Sequence, residues 1–237
     1  QIYSEVVMDV DPDSFEQVLA SHKRKSGVTL DHQLTAKQLQ NVVADFKSVC
    51  KHATGSKIPT DPWEQLFAAV EAVFRSWNTP RAIFYRNHNN IDHQMGTAVS
   101  IMAMVFGNLG HTSGTGVLFT RNPSTGLKQV YGEFLTNAQG EDVVAGLRTP
   151  ESIANLQSIM PESYGQLMEL AGNLEIHYSD MQDVEFTIEN NRLFLLQTRS
   201  AKRTALSAVK TAVDMTKEGL ISKADALLRV EAEEISH

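Results

Sequence analysis

The apolar residues of this chain change their period part-way along, and that change sets what the chain can fold into. Before Arg86 they recur every three to four positions. Phe15, Val18 and Leu19 follow Asp11-Pro12-Asp13-Ser14, and Leu39, Val42, Val43, Phe46, Val49 and Cys50 follow Thr35. Leu66, Phe67, Val70, Val73, Phe74 and Trp77 follow Asp61-Pro62. Side chains three and four apart share a helix face, and Asp, Thr and an early Pro start helices, so three helices are predicted. A short fourth follows Pro80, over Arg81–Arg86, and Gly27 and Gly55 close the first two. From about Thr97 the apolar residues come in short runs: Ala98–Phe106, Val117-Leu118-Phe119 and Gln129–Leu135. Turn signals separate them, Ser113-Gly114-Thr115-Gly116 and Asn122-Pro123-Ser124-Thr125-Gly126, which predicts strands. A helix is expected from Pro161 through Leu174, a hairpin about Asn190-Asn191, and helix again after Arg203, ending in Ala224–Glu234. The result is an α+β chain, with a mostly helical first third followed by a largely antiparallel sheet with packed helices.

Composition narrows function more than fold. A net charge of -7 leaves no basic surface for duplex nucleic acid. Cys50 is the single cysteine, which excludes an internal disulfide and a multi-thiolate zinc site, and it points to a reducing, cytoplasmic setting. No apolar run reaches the roughly 18 residues that span a bilayer. Gln1-Ile2-Tyr3-Ser4 has neither an initiator Met nor a signal peptide, as expected for a piece of a longer chain. None of the eight histidines shows metal-ligand spacing, and Ser113-Gly114-Thr115-Gly116 lacks the Lys-Ser/Thr ending of a phosphate loop.

The chemistry concentrates in Asp183-Val184-Glu185-Phe186-Thr187 and Leu195-Leu196-Gln197-Thr198-Arg199. Residues two apart on a strand share a face, so Asp183 and Glu185 pair up, as do Gln197 and Arg199. An odd loop, such as three residues with Asn191 left-handed, brings all four to one face; a two-residue Asn-Asn loop puts the pairs on opposite faces. Two carboxylates and a carboxamide oxygen suit Mg²⁺, and a guanidinium beside them suits phosphate. The plainer alternative is an amphipathic hairpin whose Arg199 forms an ordinary salt bridge with a carboxylate.

Gln182-Asp183-Val184-Glu185-Phe186-Thr187-Ile188-Glu189, Leu195-Leu196-Gln197-Thr198-Arg199 and Lys202-Arg203-Thr204-Ala205 closely resemble the end of the nucleotide-binding domain of the pyruvate phosphate dikinase family. Three earlier blocks agree in order: Trp77-Asn78-Thr79-Pro80-Arg81-Ala82; then Met104–Asn108 with Ser113–Val117 and Phe119–Gly126; then Asn137–Gly146. The resemblance implies an ATP-grasp fold, with ATP between two α+β lobes. It implies Mg²⁺ ligation by Glu185 and Gln197 with Asp183 in support, and ATP phosphate contact by Arg199. It places the adenine along an Ala98–Phe106 strand beside the backbone of Met102–Met104, and sets Glu133 and Glu141 on the ATP side, toward the ribose.

The same resemblance implies a helical subdomain over 1–58, part of the first lobe over 59–105, the second lobe over 106–202, and a helical linker over 203–237. Partners would be a phosphohistidine domain and a pyruvate-binding domain, with ATP, AMP and phosphate as small molecules, and a homodimer of the parent enzyme is one option. The family's upstream Lys, Arg and glycine-rich loop have no counterpart before Gln1, so the piece alone is expected to be inactive. Phosphoenolpyruvate synthases and glucan dikinases use the same fold, although the Gln197-Thr198-Arg199 ending matches the dikinases better. A degenerate binding module is suggested by Met102 and Ser100, where the family usually carries Gln and Asn, and is opposed by the intact hairpin.

Overall fold

The structure, a computed structural model, describes residues 1–29, 31–144 and 148–230. It divides into two compact units, Gln1–Met102 and Ala103–His237.

The first unit is helical: α1 (Ile2–Val6), α2 (Pro12–Ser26), α3 (Ala36–Thr54), α4 (Pro62–Ser76) and α5 (Pro80–His88). The expected caps are in place. Asp61 accepts hydrogen bonds from the Trp63 and Glu64 amides at 2.8 and 3.0 Å. Thr35 and Gln38 form a reciprocal capping box that satisfies two otherwise unpaired amides at the start of α3. Gly27 and Gly55 end α2 and α3 in the left-handed conformation. Phe15 of α2 meets Phe46 of α3 edge to face, with ring centroids 4.9 Å apart, over buried Val10 and Cys50. The Arg86 guanidinium is buried over the Trp77 ring and donates to His93 Nδ1 at 3.0 Å, a packing role.

One expected strand is not formed. Residues 98–106 carry no regular secondary structure, and Ile101, Met102 and Met104 are 70, 61 and 78% exposed. An apolar run becomes a strand only where a neighbouring strand takes its amide and carbonyl groups, and none of the described strands lies against this one.

The second unit holds an antiparallel sheet in the order β3-β2-β1-β4-β5. Its strands are β1 (Gly114–Phe119), β2 (Tyr131–Thr136), β3 (Glu151–Ser152), β4 (Gln182–Glu189) and β5 (Arg192–Ser200). Helices α6 (Gly140–Val144), α7 (Leu156–Ile159) and α8 (Pro161–Tyr178) intervene, and α9 (Ala205–Lys217) and α10 (Lys223–Leu228) follow. The Glu231–Glu234 end of the last predicted helix lies outside the described residues.

Alternation sorts the sheet into two faces. Leu118, Phe134, Val184, Phe186 and Ile188 point to one side and bury against Leu156 of α7, Leu167 and Ala171 of α8, and Met160 between the two helices. Each such side chain contributes about 1.5–3 kcal/mol by leaving water. Gly116 sits on this face because nothing larger fits: a Cβ there would lie 2.5 Å from the Glu133 carbonyl oxygen and 2.7 Å from the Phe186 ring. The turn expected at Ser113-Gly114-Thr115-Gly116 falls earlier, over 107–112, and Gly114, Thr115 and Gly116 are already the first residues of β1.

Candidate functional site

The opposite face of the sheet carries the polar residues. Along β4 it presents Asp183, Glu185 and Thr187; along β1, Thr115, Val117 and Phe119; along β2, Tyr131 and Glu133. Whether Gln197 and Arg199 join them depends on the turn. Asn190 and Asn191 form a two-residue turn, both left-handed, with φ of 49 and 63°, and Glu189 pairs with Arg192. Asn tolerates this conformation, which suits the twist of a tight hairpin. In an unbroken ladder from that turn, Asp183 would face Thr198, and Gln197 and Arg199 would fall on the core side.

The ladder is not unbroken. Phe186 pairs with Leu195 but Glu185 pairs with Gln197, so Leu196 is an extra residue, a β-bulge. Beyond it Asp183 stands opposite Arg199 and Glu185 opposite Gln197, all four on one face. The odd-numbered loop expected to align them is absent; the bulge supplies the missing residue instead.

Asp183 Oδ2 accepts a hydrogen bond from Arg199 Nε at 2.8 Å, with the carboxylate nearly buried and the guanidinium 59% exposed. That bond, then the charge of Asp183 and, more weakly, that of Glu185, hold the Arg199 pKa above the ordinary arginine value despite a small opposing effect of burial. Arg199 stays charged at any working pH. Its two terminal Nη groups carry no protein hydrogen bond among the described residues, and neither do the side chains of Glu185 and Gln197. Two positions along the same face, buried Thr115 and Thr187 stand opposite each other, with Thr115 Oγ1 donating to the Phe186 carbonyl at 3.1 Å.

The remaining expected residues are placed less tightly. Glu133 lies on the same face as Glu185, separated by Val117 of the intervening strand; two strand spacings put the backbones roughly 10 Å apart. Its side chain is exposed. Met104 and Met102 are exposed residues of the irregular segment, and the Glu141 side chain lies outside the described residues. No cluster of three or more His, Cys, Asp or Glu side chains assembles among the described residues. A cation held at the hairpin would draw on two carboxylates and one carboxamide, and the rest of its shell would come from ligand and water. A groove of about 550 Å³ between α9 and α10, lined by Val209, Val213, Leu227 and Val230, is almost wholly apolar and includes none of these residues.

Behind the polar face lies a network that local sequence spacing does not reveal. Arg121, fully buried, follows β1 and makes paired bonds to Glu175 of α8 (3.1 and 2.8 Å) and to Glu218 at the end of α9 (3.1 and 2.7 Å). Burial alone would lower the Arg121 pKa, but the two carboxylates outweigh it and keep the side chain charged. The bond from Arg121 holds Glu218 below the usual carboxylate range, against an opposing effect of burial and with help from Lys128 at 2.8 Å. The partners stand 54 and 97 positions from Arg121. The sequence signal was only an Arg placed directly after an apolar strand.

Comparison with known proteins fixes the family. The model of the pyruvate phosphate dikinase AMP/ATP-binding domain matches residues 34–161 and 147–220. This chain belongs to that family. It is 54% identical over 234 residues to the chloroplastic pyruvate, phosphate dikinase of Mesembryanthemum crystallinum and 53% identical over 236 residues to that of Clostridium symbiosum, in each case across 99% of this chain. The enzyme of Rhizobium meliloti is 51% identical across 98% of it. The chain covers 25, 27 and 27% of these three relatives, about a quarter of their length. The α+β architecture expected from the sequence is that of the dikinase nucleotide-binding domain. No described helix is long and apolar enough to cross a membrane.

Proposed function

We propose that this chain supplies the metal- and phosphate-holding side of the ATP site in a pyruvate phosphate dikinase. That enzyme would convert ATP, phosphate and pyruvate to AMP, diphosphate and phosphoenolpyruvate. The observation that carries the reading is the common face of Asp183, Glu185, Gln197 and Arg199, three of which keep side-chain atoms with no hydrogen-bond partner among the described residues.

The donor set suits magnesium. Glu185 and Gln197 are directly opposed, so their side-chain oxygens start from Cβ atoms about 5 Å apart. Both offer hard oxygen, and Mg²⁺ bound there would neutralise charge on the phosphates and share its remaining positions with them. Asp183 is spoken for by Arg199 through one oxygen, which makes it a support that aims the guanidinium. With Nε committed to Asp183, the free Nη pair of Arg199 is suited to two oxygens of one phosphate. Phosphoryl transfer proceeds through spread-out negative charge, so a fixed cation of this kind lowers the barrier more than it tightens ground-state binding. Glu133, two strands across the sheet on β2, extends the face toward the sugar end of the nucleotide, and the irregular 98–106 segment, with Met102 and Met104, offers backbone groups to the base.

Within this reading the β-phosphoryl of ATP passes to a histidine on a separate domain, AMP leaves, and the γ-phosphate passes to inorganic phosphate. A pyruvate-binding domain completes the cycle. Residues 59–105 belong to the first lobe, 106–202 to the second, and 203–237 lead toward the carrier domain. The single, buried Cys50 supports a reducing compartment such as the cytoplasm.

The test is single-turnover phosphorylation of the carrier histidine by ATP in the full-length enzyme. Arg199→Ala should lower the rate constant roughly 10²–10³-fold, the usual effect of removing one charge-stabilising group. An Arg199→Ala enzyme with an unchanged rate would remove the reading.

A further inference from the structure

On the far side of the hairpin from the proposed ATP face, the buried Gln182 side chain accepts a hydrogen bond from Thr198 Oγ1 at 3.0 Å. Gln182 is held from three other directions. Its Nε2 donates to the Asp180 and Met181 carbonyls at 3.1 and 3.3 Å. Its backbone N–H donates to Thr120 Oγ1 at 3.0 Å, while the Thr120 amide donates back to the Gln182 carbonyl at 3.0 Å. Thr120 Oγ1 in turn donates to Glu175 Oε2 at 2.8 Å, the same carboxylate that grips Arg121. A fixed polar chain therefore runs from the end of β1 through Gln182 to Thr198.

The Thr198 link is specific to one register. With Leu196 bulged out, Thr198 stands opposite Val184 on the Gln182 side of the sheet. Without the bulge, Thr198 would stand opposite Asp183 on the other face, beyond reach of Gln182, and Arg199 would be carried to the core side. The bond thus exists only in the register that puts Gln197 and Arg199 beside Glu185 and Asp183.

We propose that Gln182 and Thr198 are positioning residues for the nucleotide site: their half-buried hydrogen bond locks β5 into the bulged register that aims Gln197 and Arg199 at the ligand. The proposal rests on the ATP-site reading above. Gln182 and Thr198 touch no substrate themselves. They act by fixing a strand whose alternative pairing removes half of the site.

The test compares Thr198→Val, Thr198→Ser and Arg199→Ala in the full-length enzyme. Valine keeps the shape and strand preference of threonine but has no hydroxyl, and serine restores the hydroxyl without the methyl. Thr198→Val should lower the kcat of histidine phosphorylation about tenfold or more, because small displacements of a charge-stabilising group are costly in rate. The KM for ATP should change less than kcat, and Thr198→Ser should recover most of the loss. Melting temperature is followed in parallel, and Thr198→Ala replaces the valine variant if that one does not fold. Wild-type kcat in Thr198→Val, or equal impairment in the valine and serine variants, overturns the positioning role. If that happens while Arg199→Ala is impaired, the site reading stands and only the positioning proposal falls. If Arg199→Ala is active as well, both fall.

Discussion

Glu185 and Gln197 stand directly opposite one another across β4 and β5, although only Asn190 and Asn191 join the two strands and an unbroken ladder would set Leu196 opposite Glu185. The single extra residue at Leu196 thereby decides which side chains face the ligand.

Deleting Leu196 removes the bulge but not the pairing beyond it. In the unbroken hairpin that results, Leu195 still pairs with Phe186, and the residues that follow, Gln197 and Arg199, still stand opposite Glu185 and Asp183. Binding of a Mg²⁺–ATP analogue, measured by calorimetry on the full-length enzyme, should therefore stay within about threefold of wild type. A loss of tenfold or more would show that pairing alone does not build the site.

Gly116 tests the packing beneath that site. An added methyl would press on the Glu133 carbonyl oxygen and on Phe186 and Phe134, all within 2.8 Å. Overpacking of this kind costs about 1–3 kcal/mol, so Gly116→Ala should shift the urea midpoint clearly downward. A midpoint equal to that of the wild type would mean that β1 and β2 can part without penalty.

The Arg121 network predicts a pH dependence with a definite sign. Glu218 has a folded pKa below its ordinary value of 4.5, chiefly through Arg121. Its contribution to stability is therefore full above that value and is lost as pH falls from about 4.5 through the lower folded pKa. Urea midpoints measured from pH 6 down to pH 3 should drop more steeply for the wild type than for Glu218→Gln. Parallel curves would detach Glu218 from acid stability. Arg121→Met should be worse than either, by roughly 3–5 kcal/mol at pH 7, because it strands buried Glu175 without a cation.

Much of this was legible in the residues. Helices α2 to α5 were marked by period and by Asp, Thr and Pro at their starts, and β4 and β5 by the Asn-Asn turn between apolar runs. The four hairpin residues were singled out because carboxylate, amide and guanidinium alternate at strand spacing. The bulge also left a trace that was not used. Leu193 and Leu195 face the core while Gln197 and Arg199 share their odd numbering yet face the ligand side, and such a switch requires one extra residue. The 98–106 segment misled because apolar, β-branched composition reports a preference for strand, whereas a strand also needs a neighbour. Arg121 was illegible because its meaning resides in partners brought in by tertiary folding, which no local spacing encodes.

The central claim is that the bulged hairpin holds a divalent cation together with a nucleotide. Its most direct test is Mn²⁺ titration of the full-length enzyme with a non-hydrolysable ATP analogue, read by the loss of the free-ion paramagnetic resonance signal. Wild-type protein should bind one Mn²⁺ with the analogue, and Glu185→Gln, which keeps the shape but removes the charge, should weaken that binding at least tenfold while leaving the melting temperature in place. Equal Mn²⁺ affinity in the two proteins would contradict the account.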